Sequence, residues 1–186
     1  MKKFIAIMMA AVMMFSLAAC GGSKDKGGNE AADALGVLET VWKTYKDDEK
    51  FAAAGGDMEH SVMDAPGAYT IGDKEVLNQD LGVPADAADS IDNVASLMHM
   101  MNANTFTCGA YQLKDGADMD TFTAALKDSI MNRQWMCGFP DTLIVVTVSD
   151  TIVVSAFGNA ELIENFKTKL TTSFDGAEVI IEESLA

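Results

Sequence analysis

The chain has one arginine, two histidines, three cysteines and three prolines in 186 residues, and 13 basic residues stand against 28 acidic ones. Binding to nucleic acid or to an anionic lipid surface needs a basic face, so the formal charge of −15 argues against both. Beyond residue 17 no stretch approaches the about twenty apolar residues of a membrane span. The spacings that mark common chemistries are also missing. There is no C-x-x-C for redox exchange, no H-x-x-x-H or EF-hand loop for metal, no G-x-S-x-G, and neither G-x-G-x-x-G nor G-x-x-x-x-G-K-[ST] for phosphate. The sequence therefore predicts no enzyme, no cofactor and no dedicated metal site.

What is present begins at the N-terminus. MKKFIAIMMAAVMMFSLAAC carries Lys2 and Lys3, then fourteen uncharged residues from Phe4 to Leu17, then small residues before Cys20. This is the pattern of a secretory signal peptide, too short for a membrane span. Leu17-Ala18-Ala19-Cys20 resembles the lipobox of bacterial lipoproteins. The resemblance implies cleavage after residue 19, lipidation of Cys20 and a cell-membrane location facing outward, with two acyl chains giving stable attachment. Cleavage removes two lysines and no acid, so the charge goes from −15 to −17. The following GGSKDKGGNE has no apolar residue and reads, over 20–30, as a flexible tether.

Residues 31–186 suffice for one globular domain. Its first part, 31–104, reads as helical. ADALGVLETVWKTYKDDEKF places Leu35, Leu38, Trp42 and Tyr45 at helical spacing, with an end at Gly55-Gly56. Residues 57–86, rich in glycine and proline, predict irregular structure with a short helix near 74–80. Ile91, Val94, Ala95, Met98 and Met101 predict a second amphipathic helix over 87–101.

The rest, 105–186, is more regular. A strand over 105–113 is followed by a helix from Asp118 to about Gln134, and by two β-branched runs, LIVVTV (143–148) and TIVVSAF (151–157), that form a hairpin. Asn159 opens a helix over 160–173, and 177–183 is a last strand. The order βαββαβ over 105–183 predicts an α+β fold with an antiparallel, ferredoxin-like split βαβ sheet. Both hairpin strands are apolar on both faces, so the N-terminal helices are expected to cover the second face.

The lipobox, HMMNANTFT (99–107), DMDTFTAALKDSIMNRQWMCGFPDTL (118–143) and AFG (156–158) together resemble a domain-of-unknown-function family of lipoproteins from anaerobic Gram-positive bacteria, over about residues 31–174. The resemblance implies a surface lipoprotein with no assigned activity and carries over no catalytic residues.

Two cysteines remain after Cys20. Cys108 alternates with Phe106 and Ala110 and points into the core, and Cys137 lies 29 residues later. A disulfide between them or a thiol redox function are alternatives to two structural cysteines. LMHMMN (97–102) and GDMEH (56–60) join methionine to histidine, which suits a soft metal such as copper, although methionine on an apolar helix face is ordinary core filler. The remaining candidate is NRQWMCGFPD (132–141). Arg133 is the fork-shaped donor preferred by carboxylate and phosphate. With Trp135, Phe139, Asn102 and Asn104 it forms the candidate site for a small ligand or a protein partner. The alternative is that Arg133 pairs with an acid while Trp135 and Phe139 plug the end of the sheet.

Overall fold

The computed structural model describes residues 33–136 and 138–185; the signal peptide, Cys20, the tether and Cys137 lie outside the described residues. Helix α1 (Ala34–Lys43) starts where the Asp33 carboxylate accepts from the Gly36 N–H at 2.7 Å. It ends twelve residues before the expected Gly55. The run from Lys46 to Lys50 offers no apolar face to bury, and a helix without tertiary burial does not propagate. The Thr44 hydroxyl closes α1 on the Val41 carbonyl, and Lys46 N–H bonds the Glu49 carboxylate. The turn brings Phe51 back onto Trp42 at 5.4 Å.

Short strands β1 (Ala53–Gly55), β2 (Val62–Met63) and β3 (Gly67–Tyr69) follow, then α2 (Lys74–Leu81), capped by Asp73 and ended by Gly82 at φ +78°. The helix expected over 87–101 is instead a 3₁₀ turn (Ala87–Ser90) and the nine-residue strand β4 (Ile91–His99). A register shift between Ile91 and Asn93 explains the misleading period. This β-bulge inserts one residue, so Ile91 and Val94 share a face at a spacing that looks helical. Burial on both faces, with Ala95 and Leu97 on one and Val94 on the other, removes the alternation that marks a half-buried strand.

The second part follows its expectation closely: β5 (Phe106–Leu113), α3 (Met119–Met131), β6 (Thr142–Thr147), β7 (Ile152–Gly158), α4 (Ala160–Ser173) and β8 (Glu178–Ser184). Asp118 and Asn159 cap α3 and α4 as the sequence predicts. All pairings are antiparallel, in the order β2-β1-β4-β5-β7-β6-β8, with β3 also on β4. The segment expected to be helical thus supplies β1 to β4, half of an eight-stranded sheet.

The ferredoxin-like expectation holds for chain order and not for strand placement. In that arrangement the last strand lies beside the first. Here β4 occupies that place on β5, and β8 pairs with β6. The helices move accordingly. The crossovers β5–α3–β6 and β7–α4–β8 step the same way along the sheet from strands of opposite sense. If both keep one hand, their helices must lie on opposite faces. They do: α4 joins α1 over Ala95, Leu97, Phe106, Cys108 and Ile144, while α3 joins α2 over Val94, Tyr111, Val145 and Phe157. Each N-terminal helix therefore shares a face with a later one, rather than both covering one face.

Candidate functional site

One end of the sheet gathers the loop from β4 to β5, the segment from α3 to β6, and the junction of β7 with α4. Side-chain amides and short main-chain bonds lock these together. The Asn102 side chain accepts from Asn104 N–H at 3.0 Å, and Asn104 Nδ2 donates to the carbonyls of Met136 (2.8 Å) and Gly138 (3.0 Å). Asn159 N–H bonds the Thr105 carbonyl at 2.8 Å, and Asp141 accepts from Ala160 N–H at 3.0 Å. Gly158 must be glycine, because a Cβ would come within 2.3 Å of the Thr105 carbonyl oxygen.

Asn104 stands between two clefts. One, of about 230 Å³, is bordered by Asn102, Thr105, Gly138, Phe139, Asp141 and Asn159. The other, of about 240 Å³, is bordered by Gln79, Asp80, Met98, Thr107, Arg133 and Phe157. The candidate residues are thus divided: Asn102, Asn104 and Phe139 on one side, Arg133 and Asn104 on the other. Trp135 lies beneath the arginine and lines neither.

Arg133 is half-buried, with its guanidinium carbon 5.1 Å from the Trp135 ring centroid and 6.0 Å from that of Phe157. The two rings themselves meet at 5.2 Å. The Arg133 main-chain N–H bonds the Ile130 carbonyl at 3.2 Å, but among the described residues its guanidinium makes no hydrogen bond and no ion pair, so the alternative of a paired arginine is not met. Burial lowers its pKa, and the charge of Asp80 opposes that shift. Asp80 sits in the last turn of α2, with one oxygen accepting from the Tyr69 hydroxyl at 2.8 Å. The two opposite charges line one cleft without touching. Trp135 does help close the sheet, through Phe157, whereas Phe139 is 72% exposed and plugs nothing.

The other candidate chemistries separate in space. Cys108 is a free, fully buried thiol beneath α1 and α4, and burial raises its pKa well above the ordinary value. Trp135 packs on the opposite face of the sheet. As neighbours on a strand, Met98 and His99 diverge. Met98 packs toward α2 and α3, while the His99 ring stacks on Phe51 at 5.6 Å and its Nδ1 accepts from Met101 N–H. The proposed soft-metal set of Met98, His99 and Met101 therefore does not converge. In GDMEH, Met58 is 92% exposed and His60 turns to Asp57 at 3.1 Å. A cleft of about 330 Å³ beside Asp57, Tyr69 and Val76 is lined by no lysine or arginine.

Sequence reasoning missed Asp80, Gln79, Thr107 and Phe157. An acid immediately before the Leu81-Gly82 helix end was a usable signal, because the helix dipole disfavours negative charge there. No family model matches the chain, and no curated protein or solved structure matches it.

Proposed function

We propose that the chain is a lipoprotein anchored through Cys20 to the outer side of the cell membrane, whose domain is a non-catalytic module that binds a small ligand with an anionic group in the Arg133 cleft. The observation that carries this reading is the half-buried guanidinium that lies over the rings of Trp135 and Phe157 and has no hydrogen bond or ion pair among the described residues. Burying a charge without a partner is costly, and such a group is retained where a ligand supplies the partner. Contact with aromatic rings supplies no hydrogen-bond acceptor of the carboxylate kind, so the guanidinium N–H donors remain for a bidentate carboxylate or phosphate.

The first described residue is Asp33, and the Ala34 N–H is tied to Asn93 near the start of β4. The cleft borders Met98, near the other end of that strand and about 17 Å along it at about 3.3 Å per residue. Cys108 lies buried beneath α1 and α4, and Met98 and His99 diverge, so neither arrangement favours the thiol or the soft-metal alternative.

Two measurements test this. Cys20→Ser is expected to leave the membrane fraction. Titration calorimetry of the full-length protein with acetate, 4-methylpentanoate and phosphate is expected to show binding of at least one, abolished by Arg133→Gln. Affinities unchanged by that substitution would refute the site.

A further inference from the structure

We propose that the Arg133 cleft takes a zwitterionic α-amino carboxylate, with the carboxylate on the Arg133 guanidinium and the ammonium on Asp80. This rests on the ligand-binding reading above and names its ligand class. The argument starts from the fact that two opposite charges line one cleft and make no ion pair. Each is held by something else: Arg133 by the rings of Trp135 and Phe157, Asp80 by the Tyr69 hydroxyl. Only one Asp80 oxygen is occupied in that bond.

The charges also discriminate. A simple anion approaching Arg133 meets the carboxylate of Asp80, and a simple cation approaching Asp80 meets Arg133. A molecule with both charges at short spacing satisfies both at once, so the pair selects for one ligand class and against two. For the fold, Asp80 supplies an acceptor to Tyr69 that a neutral amide could supply as well, while its negative charge in the last turn of α2 opposes the helix dipole. Met98 and Phe157 supply apolar wall for a side chain, and Gln79 and Asn104 supply amides. The volume of about 240 Å³ falls below the about 300–1,000 Å³ of pockets for drug-sized molecules, which fits a single amino acid better than a longer peptide.

The test is a titration of the full-length protein with the twenty L-amino acids, then with the deamino and decarboxy analogues of the tightest binder. For leucine these are 4-methylpentanoate and 3-methylbutylamine. Loss of either charge is expected to weaken binding by about 10–100-fold, the worth of one charged hydrogen bond. Arg133→Gln should weaken the amino acid and its deamino analogue and strengthen the amine, which no longer meets a like charge; Asp80→Asn, which still accepts from Tyr69, should weaken the amino acid and the amine and strengthen the deamino analogue. Asp80→Asn should also unfold at the same or a higher urea concentration than wild type, which separates lost recognition from lost fold. If the deamino analogue binds as well as the amino acid and Asp80→Asn changes nothing, the zwitterion inference falls and the anion site stands. If Arg133→Gln changes no affinity, both fall. If none of the amino acids binds, the inference is overturned and the acetate and phosphate titrations decide the anion site.

Discussion

Replacing Tyr111 by phenylalanine removes one oxygen atom and is expected to cost the protein about 2–4 kcal/mol. The hydroxyl is fully buried beneath α2 and α3, 3.2 Å from the Leu81 carbonyl and 3.2 Å from Ser155 Oγ. With its single proton given to Leu81, it must accept from Ser155, so one atom joins the end of α2 to β7 through β5. The phenylalanine ring fits, because Tyr111 lies flat over Gly109, where a Cβ would come within 2.1 Å of the hydroxyl oxygen. What is lost is polar. Ser155, 1% exposed, is left with an unpaired donor, costing about 1–3 kcal/mol, and the bond to Leu81 adds about 0.5–1.5 kcal/mol. Urea unfolding followed by the fluorescence of Trp42 and Trp135 measures the change. Adding Ser155→Ala to Tyr111→Phe should restore part of the loss, because the unpaired donor is then gone. A Tyr111→Phe protein within about 0.5 kcal/mol of wild type, or strictly additive substitutions, would refute the reasoning.

The opposite sign is expected at Tyr45, whose hydroxyl is the one buried side-chain polar atom without a hydrogen bond among the described residues. Tyr45→Phe should raise stability by about 1 kcal/mol, read as a higher Tm; a lower Tm would show that the hydroxyl has a partner in solution. Hydrogen bonds from the Thr70 side chain and from the main-chain N–H groups of Thr70, His60 and Glu59 hold the Asp57 carboxyl well below the usual range. A depressed carboxyl stabilises fully above its unfolded pKa of about 3.9 and loses that contribution as pH falls toward the folded value. The urea midpoint of wild type should therefore drop below about pH 4, and Asp57→Asn should start lower and drop less; parallel curves would contradict this. Asn104→Ala frees the carbonyls of Met136 and Gly138 at an exposed position, for about 1–2 kcal/mol. Amide exchange around 136–139 should accelerate, and unchanged exchange would mean that Asn104 does not hold the segment.

The elements with one clear period and proper caps were legible. For α4 the bounds 160–173 and the Asn159 cap follow from Ile163, Phe166 and Leu170 on one face, and the β6–β7 hairpin follows from its β-branched runs. Two things were not legible, for physical reasons. A strand packed on both faces and carrying a bulge imitates a helix, as β4 does at Ile91 and Val94. The placement of β8 depends on which edge is free, and that was hidden by reading β4 as a helix. With β4 occupying the outer side of β5, the last strand must pair elsewhere, and with crossovers of one hand its helix goes to the other face.

The same misreading governed the site. As a helix, 87–101 puts Met98 and Met101 on one face and suggests a soft-metal set; as a strand, it turns Met98 toward Arg133 and sends His99 to Phe51. The cleft exists only because β4 is a strand. It lies where the β4 end meets α2 and the segment after α3, pieces represented by Met98, Asp80 and Arg133 that are far apart in the chain and carry no shared motif. What a sequence can show in such a case is scarcity. A single arginine among 28 acids has many potential partners, and the fold holds it on two aromatic rings instead of giving it one. Stability alone would favour closing the gap to Asp80 and forming an ion pair. That the pair is kept open by Trp135, Phe157 and Tyr69 is the physical reason to look for a ligand between them.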